Sequence, residues 1–399
     1  MNTDSMFRRG IILSISVGLI AFGIQVRSEA RQERTKAEID ALIEKAGSTP
    51  PDWWESTELR YPDTLDMNWP VLSQGRGEGR DGRRQRGGRG ERMGRGGRGE
   101  RGGGEGNSNV NVDQYIYNVI YPNPSRFKEG IKLVNHLMIM HKDDQRKLQR
   151  SLNTLGLMFY ELMEDYARAA FWWSKYAEKG GSPDPVKMAR CYWELGSREM
   201  AIETLSRMSN SYRVNEDDVI RLWAKMGQVD KAIEMIKTDT GPNTQAHSYL
   251  LTAEVYRQAG RYDEAIAYYQ KVLTLPDSST RPRDHHDIDG KIKANANLEA
   301  TRMLSTLGLK RIPDGTYTGS SIAYGGTLYI KVTIDKGRIE SVEITQHRET
   351  PSYFIIAEQT ARQIVSKQGF EGVDVITGAT MTSDAIINAA VKALAEVVK

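Results

Sequence analysis

The stretch with the most chemical promise lies near the C-terminus, Asp374-Val375-Ile376-Thr377-Gly378-Ala379-Thr380-Met381-Thr382-Ser383. It reads as a turn of small and hydroxyl-bearing residues running into a helix. Such a turn leaves backbone N–H groups free at the positive end of the helix dipole, which suits a phosphate. Small Gly378 and Ala379 let a phosphate, or an enzyme, come close to the backbone. The same pattern also serves as an ordinary helix start, because Thr and Ser are common N-caps. Few other residues offer chemistry. Cys191 is the only cysteine, which excludes an intrachain disulfide, a Cys-based zinc site and an iron–sulfur cluster held by this chain alone. Set in the helical pattern Met188-Ala189-Arg190-Cys191-Tyr192, it is expected to be a small buried hydrophobe rather than a nucleophile. No convergent acid–base pair and no NADH-binding motif is visible, so any redox chemistry must come from a bound cofactor.

The segments around the turn must hold it in place. At Pro313 the hydrophobic period changes from helical to alternating. Asp314-Gly315-Thr316-Tyr317-Thr318-Gly319 opens a strand, and Leu328, Ile330, Val332 and Ile334 then alternate with Tyr329, Lys331 and Thr333. Asp335-Lys336-Gly337-Arg338 supplies a hairpin turn, and Ile339 to Thr345 returns as the partner strand. A helix is expected near Ala357–Lys367. A second closes the chain, with Ile386, Ile387, Ala390, Val391, Leu394 and Val397 on one side. Residues 312–399 thus form a small α+β unit, with helices packed on an antiparallel sheet.

On these residues the unit resembles the FMN-binding domain of subunits found in sodium-pumping NADH:quinone reductases and Rnf-type complexes. Members carry Asp-x-x-(Ser/Thr)-Gly-Ala-Thr, a pattern met here by Asp374, Thr377, Gly378, Ala379 and Thr380. The likeness extends to the Asp-Gly-x-Tyr-x-Gly opening strand and the Lys-Gly-Arg-Ile hairpin. It implies a covalent FMN, joined through its phosphate to a threonine hydroxyl. Thr380 is then the modified residue, and Thr382, otherwise an N-cap that shapes the turn, is second in line. It also implies a separate flavin transferase, using FAD and magnesium, that installs the cofactor after export. Glu349-Thr350-Pro351 resembles the family's Glu-Thr-Pro stretch, whose side chains sit near the flavin. There the family usually continues with glycines, whereas this chain has Ser352-Tyr353-Phe354, which offers an aromatic for stacking on the ring. His347 is expected to be an ordinary surface residue.

Upstream, from about residue 130 to 308, the pattern is helical and repeats. Gly196, Gly227 and Gly260 each precede an alanine by five residues, Ala201, Ala232 and Ala265, and the glycines are 31 and 33 residues apart. The clearest copy runs from Ala246 through Tyr256, Gly260, Tyr262 and Ala265 to Pro276. This resembles the tetratricopeptide repeat, a helix, a turn at glycine, then a helix whose small residue lets the pair pack closely. Stacked pairs of this kind usually present a face to a protein or peptide. Phe171-Trp172-Trp173 and Tyr176 could line it, although aromatics at helical spacing are more often core.

The N-terminal third is different in kind. Arg8 and Arg9 precede an apolar run from Gly10 to Val26, read as an uncleaved membrane anchor. Arg27, Arg31, Arg34 and Lys36 follow it, interleaved with Glu29, Glu33 and Glu38; by Lys/Arg counting alone they oppose an outside placement. A short charged helix over 29–47 leads to Pro50-Pro51-Asp52-Trp53-Trp54 and an extended stretch ending Trp69-Pro70. These tryptophans suit either a membrane or partner contact, or packing on the helical domain. Residues 75–106 hold 15 Gly and 10 Arg against 5 acidic residues, a local charge of +5; with +3 over the whole chain, the remainder is −2. The basic pI therefore belongs to one tract. Without aromatics to stack on bases, that tract reads as a flexible tether, and a nucleic-acid partner is not expected.

The fold class is thus multidomain. It comprises a signal anchor (1–28), a juxtamembrane helix and Trp-rich segment (29–74), a disordered Gly/Arg-rich linker (75–108), an α-helical tetratricopeptide-like solenoid (109–310) and an α+β FMN-binding domain (312–399). The expected function is a membrane-anchored, extracytoplasmic (periplasmic-side) electron carrier between redox partner proteins, rather than a stand-alone enzyme. The rivals are a non-redox repeat scaffold whose C-terminal domain is structural and, further behind, an RNA-associated protein.

Overall fold

The computed structural model describes residues 33–70, 110–208, 215–237, 245–280, 289–376 and 379–397. The anchor segment 1–28, the Gly/Arg tract, and Thr377 and Gly378 lie outside the described residues. Among the described residues no helix is long and apolar enough to cross a membrane.

The described chain begins with α1 (Lys36–Ser48), opened by a capping box between Thr35 and Glu38. Beyond the Trp-rich stretch come the short α2 (Val112–Tyr115) and α3 (Phe127–Met140). Helix pairs follow. They are α4 (Gln145–Glu161) with α5 (Tyr166–Glu178), α6 (Pro185–Glu194) with α7 (Arg198–Ser206), α8 (Glu216–Lys225) with α9 (Val229–Lys237), and α10 (Gln245–Gln258) with α11 (Tyr262–Thr274). Gly196, Gly227 and Gly260 sit at the turns with φ of +97°, +75° and +71°, a left-handed conformation that costs glycine nothing in Cβ strain. Ala201, Ala232 and Ala265 are fully buried, the small residues that let each pair approach. Side chains of Asp144, Asp165, Asp184 and Ser197 cap the starts of α4, α5, α6 and α7, each worth about 1 kcal/mol. Trp173 and Tyr176 are core, and Phe171 and Trp172 pack half-buried against it. Cys191 is fully buried, and burial pushes its thiol far above the ordinary range.

Of the two roles open to the N-terminal tryptophans, the structure has the packing one. Trp53 and Trp54 lie half-buried against the helical core, and Lys132 on α3 donates to the carbonyls of Trp54 and Thr57 at 2.7 Å each. Trp69 is buried, and its indole N–H donates to Ser151 Oγ at 2.9 Å. Asp66 forms a parallel bridge with Asn111, with Asp66 N–H to Val110 O at 3.1 Å and Val112 N–H to Asp66 O at 2.9 Å. Arg150 reaches Pro70 O at 3.4 Å and Asp113 at 2.7 Å. The residues on either side of 71–109 are therefore neighbours on one surface. The segment 33–70 is thus packed on the helical domain.

The C-terminal unit is joined to the repeats by α12 (Asp277–Thr280) and α13 (Gly290–Thr306). Strands β1 (Gly315–Ala323), β2 (Gly326–Asp335) and β3 (Arg338–Gln346) form an antiparallel sheet in that order. Lys336 and Gly337 turn the second hairpin with φ of +51° and +69°, which suits the right-handed twist of its strands. Leu328, Ile330, Val332 and Ile334 are buried on one face, as their alternation predicts. Two helices follow, α14 (Pro351–Lys367) and α15 (Thr380–Ala395). Helix α14 starts six residues earlier than Ala357, because Pro351 is well suited to a first helical position, where no backbone N–H is needed. Helix α15 buries Ile386, Ile387, Ala390, Val391 and Leu394, while Val397 falls beyond its end and stays exposed. It lies almost in backbone contact with β1, since a Cβ at Gly319 would stand 2.1 Å from Ala389 O. Ala300 of α13 joins the same core, so the change of period at residue 313 is not a change of packing.

Candidate functional site

The site is built around Glu349, which lies between β3 and α14 and is 7 % exposed. Its Oε1 accepts the Gly325 N–H at 2.5 Å, from the β1–β2 turn. Its Oε2 accepts the Thr382 hydroxyl at 2.5 Å, from the first turn of α15. Gly325 has no room for a side chain, because a Cβ would stand 2.2 Å from Arg348 O. One carboxylate thus joins three segments distant in sequence. Thr382 is not the N-cap that the sequence indicated. Ala379 holds that position, and Thr382 sits inside the helix with its hydroxyl turned to Glu349.

The loop before α15 is closed by its own bonds. Ile376 N–H donates to Ser383 Oγ at 3.2 Å, and Ala379 N–H to Ile376 O at 3.0 Å. With both hydroxyls so engaged, no side chain caps the first turn of α15. Helix α14 also starts without a side-chain cap, at the exposed Thr350. Two helix N-termini with uncapped N–H groups therefore meet beside Glu349, each with partial positive charge. Thr380 lies half-buried at this junction, whereas Thr382 is 3 % exposed. These residues fit a phosphate, with a half-buried threonine beside backbone donors that no side chain caps. Glu349, Ala379, Thr380 and Thr382 come together here, with Thr350 at the rim.

Two expectations change at this end of the domain. Phe354 is buried, and the His347 ring stacks on it in parallel, with centroids 3.6 Å apart. Helix α14, starting at Pro351, turns Phe354 inward, so it is not available to a flavin. His347 is half-buried rather than a plain surface residue, and its Nδ1 accepts the Glu349 N–H at 3.2 Å. That bond puts the ring proton on Nε2. Tyr324, next to Gly325, is an exposed aromatic at this end, and Tyr353 is half-buried.

Asp374 turns the opposite way. Its carboxylate accepts Arg190 Nη2 at 3.0 Å, Gln258 Nε2 at 3.0 Å and Lys225 Nζ, from α6, α10 and α8. Its N–H donates to Gln363 Oε1 at 2.9 Å, and its carbonyl accepts the Thr360 hydroxyl at 3.2 Å, both on α14. A second link joins Arg257 of α10 to Asp384 and Asn388 of α15, with Asn388 donating to Asn297 Oδ1 on α13 at 2.6 Å. A third runs from Gln359 to Glu161 O at 2.7 Å. The face formed by the first helices of the pairs is packed against the C-terminal unit. A cavity of about 110 Å³ remains between them, lined by Tyr160, Arg190, Lys225, Gln258, Asp374 and Ile376 among others. Burial works against the charge on Arg190, yet Tyr160 and Asp374 hold its pKa well above the ordinary value. Burial also raises the Glu254 carboxyl on this face, despite Arg221 at 3.1 Å.

Gly325, Arg190, Lys225, Gln258 and Arg257 were not singled out from the sequence. A signal existed for part of the set. Glu194, Lys225 and Gln258 each stand two residues before a turn glycine, so the 31- and 33-residue spacing places polar groups in register. Lys225 meets Glu194 at 2.5 Å.

Comparison with known families settles what this unit is. A family model described as an FMN-binding domain matches residues 323–395, and one described as a tetratricopeptide repeat matches residues 248–283. Residues 323–395 are an FMN-binding domain. That domain takes in Gly325, Glu349 and the whole of α15, and the tetratricopeptide-repeat match lies ahead of it. A protein of Treponema pallidum (strain Nichols), described only as an uncharacterized protein, is 42 % identical over 82 residues. The match covers 20 % of this chain and 22 % of that protein, so the chain spans about a fifth of its relative's length. No solved structure matches the chain.

Proposed function

We propose that the protein is a membrane-anchored, extracytoplasmic flavoprotein that carries FMN on Thr380 and passes electrons between redox partner proteins. The observation that carries this reading is the half-buried Thr380 hydroxyl at the uncapped start of α15, in a domain that the FMN-binding family model matches. The link is a phosphoester between the FMN phosphate and Thr380 Oγ. A flavin transferase forms it from FAD, with AMP leaving and the hydroxyl proton lost. FMN supplies the redox chemistry when bound. The chain's own groups would hold it: the first-turn N–H groups of α15 and α14 are donors for a phosphate, and Glu349 keeps the β1–β2 turn and α15 in register.

A covalent link suits a protein outside the cell, where lost FMN cannot be replaced. Residues 10–26 anchor the chain in the membrane. Because Arg34 already bonds to Leu195 O and Gly196 O in the repeats, only residues 27–32 separate anchor from body, a reach of about 20 Å. The repeats therefore stay near the membrane surface. Redox partners reach the flavin from the exposed side beside Tyr324, which the repeats leave open.

The test is flavin fluorescence in a denaturing gel, on protein co-expressed with a flavin transferase and exported. A fluorescent band that Thr380→Ala abolishes and Thr382→Ala retains is expected. A colourless wild-type band favours the non-redox scaffold, and fluorescence unchanged by Thr380→Ala refutes the assignment.

A further inference from the structure

The repeats hold the FMN-binding domain on both sides of Thr380. Six residues before it, Asp374 takes donors from the first helices of three successive pairs, and this carboxylate is 3 % exposed. Four residues after it, one turn into α15, Asp384 takes Arg257, and Asn388 a turn later takes Arg257 and bonds Asn297. We infer that Arg190, Lys225 and Gln258 are positioning residues for the flavin-bearing loop, and that the first-helix face is a receptor for the chain's own domain rather than for a separate peptide.

Electrostatics support the assignment. With Asp374 removed, Arg190 and Lys225 share Glu194, at 3.9 and 2.5 Å. This cluster thus keeps two cations near one acid, an opening for a second carboxylate. Asp374 supplies it. A contact needed for cohesion alone could be apolar, because buried ion pairs are often no more stabilising than packed hydrophobes. What three convergent donors add is a fixed position for one carboxylate. Bonds among the described residues lead from there to the start of α15. Asp374 is also tied to Gln363 and Thr360 of α14, Ile376 to Ser383, and Ala379 to Ile376. A displacement at Asp374 is therefore passed to the first turn of α15.

This inference rests on the placement of FMN at Thr380, and its test separates the two. The full chain, exported and flavinylated, is compared with Arg190→Gln/Lys225→Met and with the conservative Arg190→Lys/Lys225→Arg. Two quantities are read, amide exchange over residues 373–384 and the visible circular dichroism of the bound flavin. The neutral pair is expected to speed exchange there by roughly tenfold or more, with the α4–α5 core unaffected, and to change the flavin signal. The conservative pair is expected to restore both. Unchanged exchange in the neutral pair overturns the receptor assignment. Faster exchange with an unchanged flavin signal overturns the positioning role. If wild-type protein carries no flavin, the placement at Thr380 fails, while the exchange measurement still decides whether the repeat face holds the domain. Should the neutral pair not fold, Gln258→Leu, which removes only an uncharged donor, is read the same way.

Discussion

Arg257→Met gives the sharpest measure of how firmly the repeats hold the FMN-binding domain. Arg257 is 5 % exposed and bonds to both Asp384 and Asn388 of α15. Methionine fills similar space but leaves the carboxylate of Asp384, a residue 8 % exposed, with the Asn297 amide at 3.4 Å as its one remaining side-chain donor among the described residues. A neutral hydrogen bond contributes about 1 kcal/mol, whereas stranding one member of a buried ion pair costs about 3–5 kcal/mol. The stranded charge is therefore the larger effect, a shift of roughly two to three and a half powers of ten in the equilibrium. Adding Asp384→Asn should recover most of the loss, because both charges then go together. The assay is urea unfolding followed by two probes. All seven tryptophans lie at or before Trp223, so tryptophan emission reports the repeats, while flavin emission reports the C-terminal domain. The flavin-monitored midpoint should fall in Arg257→Met and return in the double variant. A loss below about 1 kcal/mol, or the absence of coupling between the two substitutions, would refute the reasoning.

Two further outcomes follow from the packing and the charges. Gly319→Ala places a Cβ 2.1 Å from Ala389 O and 2.8 Å from Ala393 N, both backbone atoms, so α15 must move off β1. A loss of about 1–3 kcal/mol or more in thermal unfolding is expected, with reduced flavin loading; unaltered stability would show that the two elements are not so close. His247 bonds to Asp217 of the neighbouring repeat at 3.0 Å, and that bond, against the opposing effect of burial, raises its pKa above the ordinary 6.5. The group's contribution to stability is therefore complete below the unfolded value and lost as pH rises through the folded one. An NMR titration should find the raised value, and the stability gap between wild type and His247→Gln should narrow across that window; a gap that widens contradicts it.

Features set by neighbours in sequence were readable before the fold was known. The glycine-to-alanine spacing located three helical turns, because a left-handed turn and a close helix crossing each demand a residue type at one place. Alternation over 328–334 placed the sheet's buried face for the same reason. Readings that depended on distant contacts fared differently. Thr382 has the residue type of an N-cap, yet Glu349, 33 residues away in sequence, takes its hydroxyl. Of the two aromatics in Ser352-Tyr353-Phe354, a helix starting at Pro351 turns Phe354 into the core and leaves Tyr353 half-buried. The bridge between Asp66 and Asn111 likewise has no counterpart in any local pattern.

The sequence by itself determined the order of the elements, the buried faces of strands and helices, and the turn that leads to Thr380. Each of these is encoded in residue type and short-range period. Only the tertiary structure decided where that turn is held. Asp374 reads as one letter of a motif, but its carboxylate is satisfied by side chains 116 to 184 positions away. Which of the many charged residues on the repeats meet it depends on how the helix pairs stack against the FMN-binding domain. That is a property of packing in three dimensions, and no local pattern records it.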